Sequence, residues 1–116
     1  IAGDDAPQPS VLLLQAPIFH GHAMAVFLEM EQAADAGELN RVLAGDHVSI
    51  PGAEEDAPSN VSSAGQADIQ VSVKMDSTEP NAVWLWAAAD NLRISAVTAV
   101  ECAESMTAAR PTGKIQ

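Results

Sequence analysis

The stretch "DIQVSVKM", Asp68 to Met75, sets Ile69, Val71, Val73 and Met75 on one side of the chain and Asp68, Gln70, Ser72 and Lys74 on the other. Successive side chains of a strand point to opposite faces, so this period of two predicts a strand with one dry face and one wet face. Working outward, "STEPNA" at 77–82 is turn chemistry, and "VWLWAAA" at 83–89 reads as a second strand with Trp84 and Trp86 on one face. From Asp90 the period lengthens. Leu92, Ala96, Ala99, Ala103 and Met106 fall along one side of a helix, with Val100 beside them, and the helix should end near Ala108, ahead of Arg110 and Pro111.

The first half is less regular. "VLLLQAPIF" and "AMAVFLEMEQ" give two strand candidates, apolar enough to be covered on both faces. "AADAGELNRVLAG" then changes period, with Leu39, Val42 and Leu43 at helical spacing and Gly45 placed as a C-cap. The reading that results has strands at 11–14, 24–30, 69–75 and 83–88, a further strand opening in "HVSIP" and stopped by Pro51, and helices at 34–44 and 91–108. Residues 1–10 are expected to form a frayed lead-in and 51–67 a mobile loop. Without a regular alternation of strands and helices, the pattern favours one α+β domain over 1–116. Its sheet is mixed but mainly antiparallel, with the helices packed on one face and the other face in a dimer interface.

A chain of 116 residues can bury about 65% of the surface its unfolded form exposes, enough for one core but not for a two-domain enzyme. It begins at Ile1 without a methionine, so we expect it to be processed or cut from something longer. Sixteen acidic residues against five basic ones give a net charge of -11. That charge repels phosphate backbones and anionic headgroups, so neither nucleic acid nor a membrane surface is an expected partner. No apolar run approaches the roughly 20 residues needed to span a bilayer. A single cysteine, Cys102, cannot form an internal disulfide, in keeping with a cytoplasmic location.

No self-sufficient catalytic signature is present: the sequence has no G-x-G-x-x-G, Walker-type loop, Cys-x-x-Cys or G-x-S-x-G. Two stretches nevertheless resemble a known family. "QAPIFHGHAMAVFLEME" and, far downstream, "NAVWLWAAADNLRISAVTAVECAE" look like the C-terminal, dimerisation domain of the aspartate-semialdehyde dehydrogenase family. The first corresponds to that family's Arg-Val-Pro-Val-Phe-x-x-His-Ser and the second to its Ala-Asp-Asn-Leu-Arg-Lys-Gly-Ala-Ala, and the resemblance spans about residues 11 to 106. It implies an NAD(P)-dependent oxidoreductase of amino-acid biosynthesis in which a cysteine thiolate attacks the aldehyde or acyl phosphate, a histidine moves protons and an arginine holds the substrate carboxylate.

By that resemblance His22 stands at the general base. Gln15 stands at the substrate-binding arginine, and Asn91 at a position that approaches the nicotinamide cofactor. A neutral amide cannot supply the charge-assisted, bidentate pairing of a guanidinium, so Gln15 puts aspartate-semialdehyde-type substrates in doubt. The family's Lys-Gly after Asn-Leu-Arg is replaced by Ile94 and Ser95. The family's catalytic cysteine motif and its nucleotide-binding domain lie upstream of this region, and Cys102 matches neither the cysteine nor its surroundings. The expectation is a homodimer that binds no cofactor in this chain and is inactive in isolation, with NAD(P) and a nucleotide-binding domain supplied by a full-length parent. The alternative is a non-catalytic dimeric paralogue serving as a scaffold, since a branch of the family keeps the "ADN" stretch but carries glutamine for the arginine.

Plainer roles stand beside these. His20 has no family counterpart and reads as a satisfied or surface histidine. No metal is expected, because a site at His20 and His22 needs a third ligand and His47 is the only other histidine. Cys102 reads as a small apolar filler, Trp84 and Trp86 as core or interface rings, and Glu54, Glu55 and Asp56 as a solvated loop without EF-hand spacing.

Overall fold

The computed structural model describes residues 6–33, 35–52 and 54–109. In chain order the elements are β1 (His22–Glu29), α1 (Ala36–Leu43), β2 (Val48–Ser49), β3 (Ile69–Met75), β4 (Ala82–Ala89) and α2 (Asn91–Ala108). The strands form one four-stranded sheet in the order β1-β4-β3-β2. β4 runs antiparallel to both β1 and β3, while the two-residue β2 runs parallel to β3. The architecture is therefore the expected α+β class with a mixed, mainly antiparallel sheet.

The registers sort the side chains by face. Val83 pairs with Leu28 and Met75, and Leu85 pairs with Val26 and Val73, so His22, Met24, Val26 and Leu28 share an aliphatic face with Val71, Val73, Val83 and Leu85. The opposite face carries Ala23, Ala25, Phe27, Trp84, Trp86, Gln70, Ser72 and Lys74. Burial is deepest at the centre: Val71, Ala82, Val83 and Ala88 are the buried apolar residues. On the aromatic face, Phe27 and Trp84 stack with ring centroids 4.8 Å apart, yet Phe27, Trp84 and Trp86 remain 46%, 43% and 39% exposed.

Local chemistry explains the helix starts. Asp35 caps α1 by accepting the amides of Gly37 and Glu38, and Asp90 caps α2 by accepting those of Leu92 and Arg93. α1 lies against β3. Residue 34, the expected first residue of that helix, lies outside the described residues.

Four expectations need correction. Residues 11–14 are not a strand: they run as exposed irregular chain, with Leu13 92% accessible. They precede β1, and among the described residues they join no ladder of the sheet. β1 itself, at the sheet edge, is largely exposed rather than covered on both faces. The α1 C-cap is the extended Ala44, whose amide bonds back to Asn40, while Gly45 begins a bridge to Val48. Finally, α2 does not pack its apolar stripe on the sheet. Leu92, Val100 and Met106 are exposed, because a stripe built mostly of alanine offers little surface to bury, and no residue of the helix is buried.

Candidate functional site

The segments bearing chemistry meet where β1 begins and β4 passes into α2. His22 opens β1 opposite Ala89, the last residue of β4, so the next two residues, Asp90 and Asn91, arrive beside "HGH" at 20–22. Gly21 is the hinge there. It is buried with φ +93°, and a Cβ at that position would lie 3.0 Å from the Ala89 carbonyl oxygen and 3.1 Å from Asn60 Nδ2. Only glycine fits such a backbone in so little space.

Asn91 Oδ1 accepts the Gly21 amide at 3.0 Å. Its neighbour Asp90 is a four-way junction. Oδ1 caps α2, while Oδ2 accepts the Gly65 amide at 2.8 Å and stands 3.4 Å from His20 Nε2. The Asp90 side chain is 9% exposed and that of His20 is 44% exposed. The Arg93 amide, and after it the Gly65 amide, hold the Asp90 carboxyl below the ordinary carboxylate range, since hydrogen bonds to the charged form favour it. Asp90 is therefore an anion at neutral pH, aimed at one imidazole.

Gly65 belongs to a turn that closes one side of this corner. Ser59 and Ser62 exchange hydrogen bonds, Ser63 is fully buried, and the Pro58 carbonyl accepts the Trp86 indole N–H at 2.6 Å. Thus part of the segment 51–67 is anchored, on Trp86 at one end and on Asp90 at the other. Asn60 Nδ2 is buried beside Gly21 and has no hydrogen-bond partner.

The structure brings Asn91 to within one hydrogen bond of the residue between the two histidines, and leaves His22 exposed at the head of β1. Gln15 lies seven positions earlier in the exposed irregular segment, not in the hydrogen-bonded corner. His20 and Asp90 are the site residues that sequence reasoning missed. The one available signal was Asp90 itself, standing where a helix N-cap should be.

The other candidates disperse. His47 Nε2 contacts Glu101 Oε2 on α2 at 3.2 Å, away from His20 and His22. Among the described residues, no three His, Cys, Asp or Glu side chains gather as a metal-holding group. Cys102 is exposed on α2 and so is no core filler, which corrects that expectation. Glu55 caps its own loop by accepting the Gly52 amide. Among the described residues no helix is long and apolar enough to cross a membrane.

Comparison with known proteins bears on this corner. The family model "Semialdehyde dehydrogenase, dimerisation domain" matches residues 1–94. An aspartate-semialdehyde dehydrogenase of Shewanella violacea is 33% identical over 112 residues, covering 90% of this chain and 32% of its own length. One from Rickettsia bellii is 32% identical over 104 residues, covering 84% of this chain and 30% of its own. A solved structure of a probable aspartate-semialdehyde dehydrogenase from Pseudomonas aeruginosa matches with a TM-score of 0.62 and 34% identity, over 68% of this chain and 24% of that one. The chain spans about a third of the length of the curated relatives it matches.

Proposed function

Because the chain belongs to the semialdehyde dehydrogenase family, as its dimerisation domain, we propose that it supplies the two-fold contact and the substrate-side histidine of such an oxidoreductase. The observation that carries the first half is the open aromatic face, where Phe27 and Trp84 stack but stay nearly half exposed. Rings of that size stay in water only at a cost, and a second copy of the same face would cover them. A homodimer of obligate type would bury more than roughly 2,000 Å² in total. Sedimentation equilibrium tests it: the protein is a dimer at micromolar concentration, and Phe27→Glu is a monomer. A well-folded monomer in the unmutated protein overturns the reading.

For the second half, His22 acts as the proton carrier and the residue at 15 faces the substrate carboxylate. Imidazole is the side chain whose ordinary proton affinity suits proton transfer near neutral pH. The nucleophilic cysteine and the NAD(P) site belong to the upstream part of a parent chain, so this domain alone transfers no hydride. An assay of the isolated domain with NADP, phosphate and aspartate semialdehyde therefore shows no turnover above blank. A second reading, a non-catalytic dimeric relative, is favoured by one residue: Gln15, at the position where the family's arginine would carry the charge. A catalytic cysteine in the parent's upstream region supports the first reading, and its absence the second.

A further inference from the structure

Two consecutive side chains at the head of α2 reach the "HGH" turn, Asn91 at the Gly21 amide and Asp90 at the His20 imidazole. Asn91 reaches back seventy positions to the Gly21 amide, the only backbone N–H between His20 and His22. Asp90 faces the His20 imidazole through Oδ2 while its other oxygen is tied to the first turn of α2. Both acceptors are thus fixed to a helix end, and both act on a turn whose central residue is a glycine at φ +93°. A left-handed glycine is permitted a wide range of backbone angles, and an amide pinned at 3.0 Å removes most of that freedom. Fixing Gly21 fixes the angle between the two flanking side chains.

We propose that Asn91 and Asp90 are positioning residues for the histidine pair: Asn91 locks the Gly21 hinge, and Asp90 draws His20 aside, so that His22 presents its imidazole in one direction. The proposal rests on the reading of His22 as the proton carrier. It gives Asn91 a task toward the protein's own backbone, beside the cofactor approach expected from sequence. It also gives His20 a role that resemblance alone did not supply. The Asp90 carboxylate stands 3.4 Å from His20 Nε2, a charge contact that holds the ring on its own side of Gly21.

The test is nuclear magnetic resonance on the protein labelled with 15N at glycine and histidine. In the unmutated protein the Gly21 amide is protected from exchange. Asn91→Ala speeds Gly21 exchange about tenfold, the loss expected for one hydrogen bond, and shifts the His22 ring signals. Asn91→Asp, which keeps an acceptor oxygen, restores both. Asp90→Asn, which removes the charge facing His20, shifts the His20 ring signals.

An unprotected Gly21 amide in the unmutated protein overturns the proposal, and so does an Asn91→Ala protein whose exchange and His22 signals match the parent. His20 ring signals unchanged in Asp90→Asn overturn the part assigned to Asp90. Should Asn91→Ala fail to fold, the unmutated protein and Asn91→Asp still decide. None of these readouts needs cofactor, substrate or a dimer, so their failure is distinguishable from failure of the dimer or activity tests.

Discussion

Gly21 allows no substitution, for two separate reasons. Its left-handed backbone costs an alanine on the order of 1–3 kcal/mol, and the new methyl group would press on the Ala89 carbonyl at 3.0 Å. Gly21→Ala is therefore expected to lower the unfolding free energy by at least about 1 kcal/mol in a urea titration. At Gln15 the expected change is in binding rather than stability. In a parent that carries the family's cysteine, Gln15→Arg should strengthen binding of a carboxylate-bearing substrate by about 1.5–3 kcal/mol, the range for a hydrogen bond to a charged group. An unchanged Michaelis constant would remove the substrate role from this position. Short motifs single out His22 and Asn91 in the sequence, and the structure sets Asn91 against Gly21, next to His22. The His20–Asp90 contact was not legible there, since residues separated by 70 positions meet only through the β1–β4 register, and a lone histidine carries no sign of its partner.

At the scale of elements, the β3–β4 turn is held by one carboxylate. Asp76 Oδ1 accepts the Thr78 amide, the Thr78 hydroxyl and the Glu79 amide, and Oδ2 accepts the Trp84 indole N–H. The Thr78 amide and hydroxyl contribute most to keeping this carboxyl well below its ordinary value of 3.8. A depressed folded-state value means that the contribution is present above the unfolded value and is lost as pH falls below it. Stability should thus decline on acidification below about pH 4, and Asp76→Asn should flatten that decline in urea midpoints taken from pH 7 to pH 2. On α1, Asp35→Ala removes the cap on Gly37 and Glu38 and should cost about 1 kcal/mol, read from thermal or urea unfolding. β3, β4 and both helices could be read from periodicity because each repeats its local pattern over at least two turns or several residue pairs. Residues 11–14 misled instead: an apolar run reports a wish to be covered, but not whether a strand lies alongside. The alanine stripe of α2 misled in the same way.

The whole molecule spreads over 69 × 36 × 30 Å with a radius of gyration of 18.0 Å. A compact domain of this length would measure about 13 Å. The excess goes with the exposed aromatic sheet face, helix α2 and apolar segment 11–19. The chain's charge of -11 is shared by any second copy, so association should tighten with salt as the screening length falls from about 30 Å at 0.01 M to about 10 Å at 0.1 M. Sedimentation equilibrium at those two salt levels measures the effect. Weaker association at the higher level would mean that attraction between opposite charges, rather than apolar contact, drives it.

The free edge of β1 gives this charge a second meaning, in time rather than in energy. His22–Glu29 pairs with β4 on one side only, and its one acidic residue stands at the far end. In the proposed dimer, a newly made chain exposes a row of unspent backbone donors and acceptors until something covers them, and any other extended chain competes with a second copy for that row. Mutual repulsion slows every encounter, right or wrong, while only the matched apolar face rewards the right one. Assembly becomes a race that the correct partner wins by staying bound longest, and crowding many nascent copies together at high salt is the condition under which it would be lost.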